Sequence, residues 1–303
     1  MHSQLRPFYG GFWLAMVAFG PFSVGMATPP DDSSMASIVS TVRNRVTAAN
    51  GFELTWTEQE ARLAGGQERL STIHYRLCSV DKLLAFEFQV AAEPTAKVDQ
   101  AADEYRGVFD GKATWELRPK PETLSHPCGF VNRTENLLDL NFHVQSAKLA
   151  MGVGLAETLE QPNVQLLDQR EEIDGHQCVM LKVPLGRDFS WFWLDEHHDY
   201  RVVQWENRPF DRRQARRLKI SYEQTGGPVP LENQWQVKGW ELQIPEGNKI
   251  FTATVKTLQN HQRFPVGTFR IYFPPETVVC DILAPELVVD SVVAEDGTWK
   301  ALR

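Results

Sequence analysis

What narrows the fold most is a change of hydrophobic period at Phe52, from helical spacing to strict alternation. "FELTWTEQEARL" sets Phe52, Leu54 and Trp56 against Glu53, Thr55 and Thr57, a strand with one wet face. Gly65-Gly66 turns it and "RLSTIHYRL" returns. "KLLAFEFQVA" puts Leu84, Phe86, Phe88 and Val90 on a single face. "YRGVFDGKATWELRP" and "VQLLDQREEIDGHQCVMLKVP" are hairpins about Asp110-Gly111 and Asp174-Gly175, turn pairs whose glycine tolerates positive φ. "LKISYEQTGGPVPLENQWQVKGWEL" turns at Gly226-Gly227, and "KIFTATVKTLQ" and "GTFRIYFPP" are the last clear strands. The count is about ten strands, paired by local hairpins and without the helical crossovers of a parallel sheet.

Helical spacing appears in two places. In "SSMASIVSTVRNRVTAAN" the residues Met35, Ile38, Val39, Val42 and Val46 form one stripe, with Asp32 or Ser33 able to cap its start. Residues 134–160 hold helix formers with apolar repeats at Leu137, Leu138, Ala147, Leu149 and Leu155, read as one or two helices broken near Gly152-Val153-Gly154. No strand precedes that glycine pair and no Lys-Ser or Lys-Thr follows, so it is not a phosphate loop. The fold class is α+β: an antiparallel sheet with helices packed on one face.

"SWFWLDEHHDYRVVQWE", residues 190–206, is where catalysis would be sought, because Glu196, His197, His198 and Asp199 follow one another. Phe189, Trp191 and Trp193 share one face of the preceding strand, and Phe192 and Leu194 share the other, so both faces are covered. His197 and His198 point apart whether the chain is extended or helical, and no HExxH spacing is present. A metal here needs ligands from distant parts of the chain. The expectation is an exposed hairpin tip with no metal. No G-x-S-x-G elbow, P-loop or cofactor motif is found and no S-x-x-K has a plausible partner, so catalytic residues and cofactors are read as none. Carboxylate pairs meet in space without a sequence spacing, which keeps a carboxylate-pair hydrolase as an alternative.

Composition bears on compartment and partners. Residues 1–27 have Arg6 near the start, an apolar middle and Gly25-Met26-Ala27 at the end, the pattern of a signal peptide; a retained anchor is the rival. A short polar lead over 28–36 and one domain over 37–303 follow, in an exported, periplasmic or envelope protein with no cysteine placed for an N-terminal lipid. The formal net charge of −8 argues against nucleic-acid binding, which draws on phosphate neutralisation. Cys78, Cys128, Cys178 and Cys280 are widely spaced without a CxxC, and either pair as two disulfides or stand as small buried apolar residues. "RPFDRRQARRLK", residues 208–219, reads as a solvated loop or, through Arg212, Arg213, Arg216 and Arg217, as a contact for anionic headgroups at a membrane surface.

Five stretches then occur in order: "DGKATWELRP", "EEIDGHQCVMLKV", "FWLDEHHDYRVVQWE", "SYEQTGGPVPLENQW" and "FRIYFPPETVVCD". Together they resemble the LolA/LolB-like superfamily, exported proteins related to the periplasmic lipoprotein carrier. The resemblance implies a strongly curved antiparallel sheet, an unclosed half-barrel, with helices plugging its concave face over an apolar cavity for acyl chains. With 17 Phe and 9 Trp available, the residues read as lining that cavity are Phe52, Leu54, Trp56, Phe86, Phe88, Trp115, Trp191 and Trp193. The expected function is non-catalytic binding of lipid or lipoprotein acyl groups. The alternative is an envelope sensor or scaffold that binds protein partners.

Overall fold

A computed structural model describes residues 34–49, 51–62, 72–90, 104–118, 126–133, 136–185, 188–209, 215–224, 235–245, 249–260, 263–265, 267–284 and 287–302. Residues 1–33, the Gly65-Gly66 and Gly226-Gly227 turns, and Arg212 and Arg213 lie outside these, and the last residues of the 28–36 lead already belong to the first helix. Helix α1 (Met35–Ala49) is followed by β1 (Phe52–Arg62), β2 (Thr72–Val80), β3 (Leu83–Val90), β4 (Glu104–Phe109), β5 (Thr114–Arg118) and β6 (Cys128–Asn132). A 3-10 turn (Leu137–Leu140), α2 (Phe142–Met151) and α3 (Leu155–Leu159) come next. The second run of strands is β7 (Gln165–Ile173), β8 (His176–Leu185), β9 (Asp188–Asp195), β10 (Val202–Arg208), β11 (Arg216–Gln224), β12 (Trp235–Ile244) and β13 (Lys249–Asn260). β14 (Val278–Ala284), β15 (Leu287–Val293) and β16 (Trp299–Ala301) close the chain.

All sixteen strands belong to one open sheet, ordered β16-β15-β14-β6-β5-β4-β3-β2-β1-β13-β12-β11-β10-β9-β8-β7. It is two hairpin meanders, β1–β6 and β7–β13, joined side by side through β1 and β13 from Phe52↔Asn260 to Arg62↔Lys249. The alternating period dictates the meanders, and the two Asp-Gly turns fall where their residues predict. At the β7–β8 turn Asp174 (φ 50°) and Gly175 (φ 86°) are both left-handed, the requirement of a two-residue hairpin loop. The architecture is α+β, an unclosed half-barrel with β7 and β16 as its edges.

The sheet is antiparallel but for one pair, and two expectations need correction. β14 pairs with β6 in parallel, Val278↔Cys128 through Ile282↔Asn132, so the sheet is not wholly antiparallel. "GTFRIYFPP" is not a strand: residues 267–275 are turns and irregular chain. Phe269, Ile271 and Phe273, with Phe264 just before them, pack against Cys78, Ala85 and Val108, while Tyr272 is exposed. The count of strands is also higher, because short strands such as β6 and β16 carry too few residues to show a period.

The sheet has an inner and an outer face. Inward residues of β1–β3 and β8–β13 join Ile38, Val39 and Val42 of α1, Leu138 of the 3-10 turn, Val144 and Ala147 of α2, and Leu155 and Leu159 of α3 in one core. This is the stripe that the helical spacing of α1 predicted. The break also falls where expected: Gly152 (φ 76°) caps α2 and Gly154 (φ 74°) starts α3, both in the left-handed region. Gly107 has a different purpose, since a Cβ there would lie 2.6 Å from Leu138 Cδ2; its absence lets the 3-10 turn sit on β4. Among the described residues no helix is long and apolar enough to cross a membrane.

Candidate functional site

Antiparallel register carries four rings into one row on the inner face: Trp56↔Tyr75↔Phe88↔Tyr105 across β1 to β4. Trp56 and Tyr75 stack at 5.0 Å between centroids, and Phe88 and Tyr105 at 5.1 Å. Phe86 joins from the next row, 6.3 Å from Trp56, and Trp240 of β12 lies 5.2 Å from Trp56 on the other side. Phe52, Leu54, Trp56 and Phe86 are buried here and Phe88 is partly covered. Five of the eight residues read as cavity lining therefore share the helix-covered face.

A polar island sits inside that face. Glu58, two residues past Trp56 and only 2% exposed, has His143 Nδ1 2.8 Å from Oε1, off the line of a good hydrogen bond. Asn141 caps α2 by accepting from His143 N and Val144 N, which holds the imidazole at the first turn, over the sheet. The Tyr75 hydroxyl meets His143 Nε2 at 3.3 Å. Burial, then the Glu58 carboxylate, pushes that hydroxyl well above its ordinary range. The indole Nε1 atoms of Trp56 and Trp240 are buried here without a hydrogen-bond partner. Two orphaned donors on one wall are a cost that an acceptor from a bound molecule or water removes.

The other three predicted residues are on the outer face. Trp193 packs with Cys178, Met180 and Val203, and its Nε1 donates to Glu171 Oε2 at 2.8 Å. Trp191 lies under Lys182 and Arg208, with the Arg208 guanidinium 5.5 Å above its ring. Trp115 packs against Phe273 and Trp299 and donates to Asp110 Oδ2 at 3.0 Å. Alternation correctly separates the two faces of a strand, but only the tertiary structure says which one the helices cover.

The basic segment is also partly neutralised. Glu206, 5% exposed, accepts Arg217 Nε at 2.6 Å and Arg208 Nε at 2.6 Å, tying two arginines to the end of β10. Arg216 instead reaches over the Phe142 ring, 5.8 Å away, and so touches the start of α2. A cavity of about 580 Å³ opens there, with Arg208, Arg216, Arg217, Gln243 and Pro245 in its wall. A second, of about 700 Å³, runs along β1–β5; Arg76, Glu87 and Arg106 line it, and so do the four rings of the row, Trp56, Tyr75, Phe88 and Tyr105. Among the described residues no helical one lines either cavity.

The four thiols are free. Cys78 and Cys178 are buried, and burial pushes both up to about 12, so they serve as apolar filling.

Arg45 of α1 ties the helical layer to the β9–β10 turn: its Nη1 donates to the Asp199 carbonyl at 2.5 Å, and burial lowers it to about 10. The turn itself is less exposed than expected. His197 is exposed, but His198 folds back on Asp195, beside His176 from β8. His176 was missed because nothing in a linear sequence links it to residues nineteen positions on.

No family model matches the sequence, and no curated protein matches it. Solved structures do. One similar fold is an outer membrane lipoprotein-sorting protein domain from Vibrio parahaemolyticus, 13% identical, covering 78% of this chain and 97% of its own, with a TM-score of 0.48. A DUF1329 family protein from Desulfovibrio piger has the same identity, coverage and TM-score. A LolA superfamily protein from Nitrosomonas europaea is 11% identical, with coverage of 78% and 97% and a TM-score of 0.47.

Proposed function

We propose that this chain is an exported, non-catalytic binding protein of the carrier type, taking a lipid or lipoprotein acyl chain against its inner face and working as one unit over residues 37–303. The observation that carries the reading is the aromatic row Trp56–Tyr75–Phe88–Tyr105 beneath short helices, with two indole donors left without partners. The cover is separable. α2 and α3 are joined through two left-handed glycines, and Gly154 has open space around it. Swinging α2 and α3 outward exposes the row, and an acyl chain laid there gains about 0.8 kcal/mol for each methylene removed from water. Arg216, beside Phe142 at the hinged element, then meets anionic headgroups during hand-over.

The test is saturable binding of a fluorescent fatty-acyl probe to the purified chain. Phe88→Asp on the inner face abolishes it, while Trp191→Asp on the outer face leaves it intact, with circular dichroism showing both variants folded. A wild type that binds no probe, or equal loss in both variants, defeats the carrier reading. The scaffold alternative has its own support. Val288 and Leu302, at 52% and 51% exposure, share one face where β15 meets the residue after β16, an apolar pair suited to a protein partner.

A further inference from the structure

Three side chains with metal-ligating atoms converge where β8 begins and β9 ends. His176 follows the Asp174-Gly175 turn, Asp195 closes β9, and His198 lies in the β9–β10 turn. Register places Cys178 opposite Asp195, so His176, two residues from Cys178, shares the face to which the carboxylate points. Both imidazoles aim Nδ1 at the same oxygen, Asp195 Oδ2, at 2.5 Å each. All three ligand atoms lie within 4.8 Å of one another. The other carboxylate oxygen is engaged with the His197 backbone N–H at 2.9 Å.

The arrangement is held by its surroundings. Asp199 (φ 55°) and Tyr200 (φ 51°) are consecutive left-handed residues, a conformation costly for tyrosine that persists only when neighbouring contacts fix the turn. Tyr200 N donates to the Asp195 carbonyl and Arg45 holds the Asp199 carbonyl. The Trp235 ring stands edge-on to both imidazoles, 4.4 Å from His198 and 6.4 Å from His176, fixing their planes. Asp195 is 2% exposed while the two histidine side chains are 27% and 23% exposed, so the acid is buried and the imidazoles give a route in from solvent.

We propose that His176, Asp195 and His198 bind a divalent transition-metal ion of the zinc–copper class. Two imidazole nitrogens and one carboxylate oxygen are the donors such borderline ions prefer, and hard ions such as calcium or magnesium ask for more oxygens. Three protein donors leave a further coordination position for water. Bound this way, each imidazole carries its proton on Nε2, and one cation replaces the two N–H contacts that now crowd a single oxygen. The ion pins the start of β8 to the β9–β10 turn. This inference is independent of acyl binding.

Zn²⁺ alone, titrated calorimetrically into the chelator-treated chain, is expected to give one saturable site. His176→Ala and His198→Ala each weaken it by at least about tenfold, the scale by which even supporting residues tune metal sites. His197→Ala, at the exposed neighbour, leaves it unchanged. With Cu²⁺ as the probe, electron paramagnetic resonance shows coupling to two nitrogens in the wild type and to one in either variant, which separates this site from adventitious thiol binding. Should an alanine variant unfold, His176→Asn and His198→Asn, which retain polar side chains, are used in its place. Absence of saturable Zn²⁺ binding, or binding that the histidine variants do not alter, overturns the site and leaves a hydrogen-bonded turn.

Discussion

Replacing His143 by alanine tests whether the polar island beneath α2 is a stabilising pair or an isolated buried charge. Glu58 is 2% exposed and has the imidazole 2.8 Å away, while the His143 side chain retains 15% exposure. Removing one partner of a buried pair costs about 3–5 kcal/mol, because the remaining charge stays buried without compensation. The residual exposure of His143 and the poor line of its contact place His143→Ala near the lower end, about 3 kcal/mol. Glu58→Gln keeps the shape and removes the charge, costing about 1 kcal/mol. Replacing both by leucine removes the charge problem altogether and lies within about 1 kcal/mol of wild type. Urea unfolding followed by tryptophan fluorescence and far-ultraviolet dichroism measures all four proteins. A His143→Ala protein within about 0.5 kcal/mol of wild type, or a double-leucine variant less stable than His143→Ala, would refute the reasoning.

Gly107→Ala puts a methyl 2.6 Å from Leu138 Cδ2 and 2.7 Å from the Tyr105 hydroxyl, so it should destabilise by about 1–3 kcal/mol in the same urea assay. At Asp110 burial pushes the carboxyl up, but N–H donors from Ala113, Lys112 and Trp115 outweigh it and hold it below its ordinary value. Its stabilisation is therefore present above the unfolded value of about 3.9 and lost as pH falls through the lower folded one. Asp110→Asn should flatten the acid limb of a stability–pH curve below about pH 4. Glu206→Gln frees Arg208 and Arg217 from their shared carboxylate. It should strengthen sedimentation with anionic vesicles at low salt, and roughly 0.5 M salt should abolish the gain.

Much of the fold can be read from the sequence because its information is local. The stripe of α1, the break at Gly152-Val153-Gly154 and the Asp110-Gly111 and Asp174-Gly175 hairpins each depend on residues a few positions apart. What joins distant segments is hidden. Nothing around Phe52 or Asn260 says that β1 and β13 run side by side, and nothing around Cys128 says that β14 lies parallel to it. The site divides in the same way. Phe52, Leu54, Trp56, Phe86 and Phe88 belong with the helices because β1 and β3 sit mid-sheet beneath them. Trp115, Trp191 and Trp193 have identical alternation and the opposite orientation. Glu58 and His143 meet only through helix–sheet packing, and His176 reaches Asp195 only through strand register.

The stretch between β13 and β14 has a consequence for how the chain assembles. β13 lies beside β1 near the middle of the sheet and β14 lies beyond β6, so the connection has to cross the outer side of the first meander. Phe264, Phe269, Ile271 and Phe273 press it against residues of β2 to β5. Each meander can form from contacts close in sequence, but this crossing has nothing to lie on until β1–β6 and the β1–β13 seam exist. Contacts between distant segments pay their closure entropy before they are rewarded. The last forty residues therefore arrive as a fastening, and a protease cut within 263–273 should release β14–β16 while leaving both meanders paired.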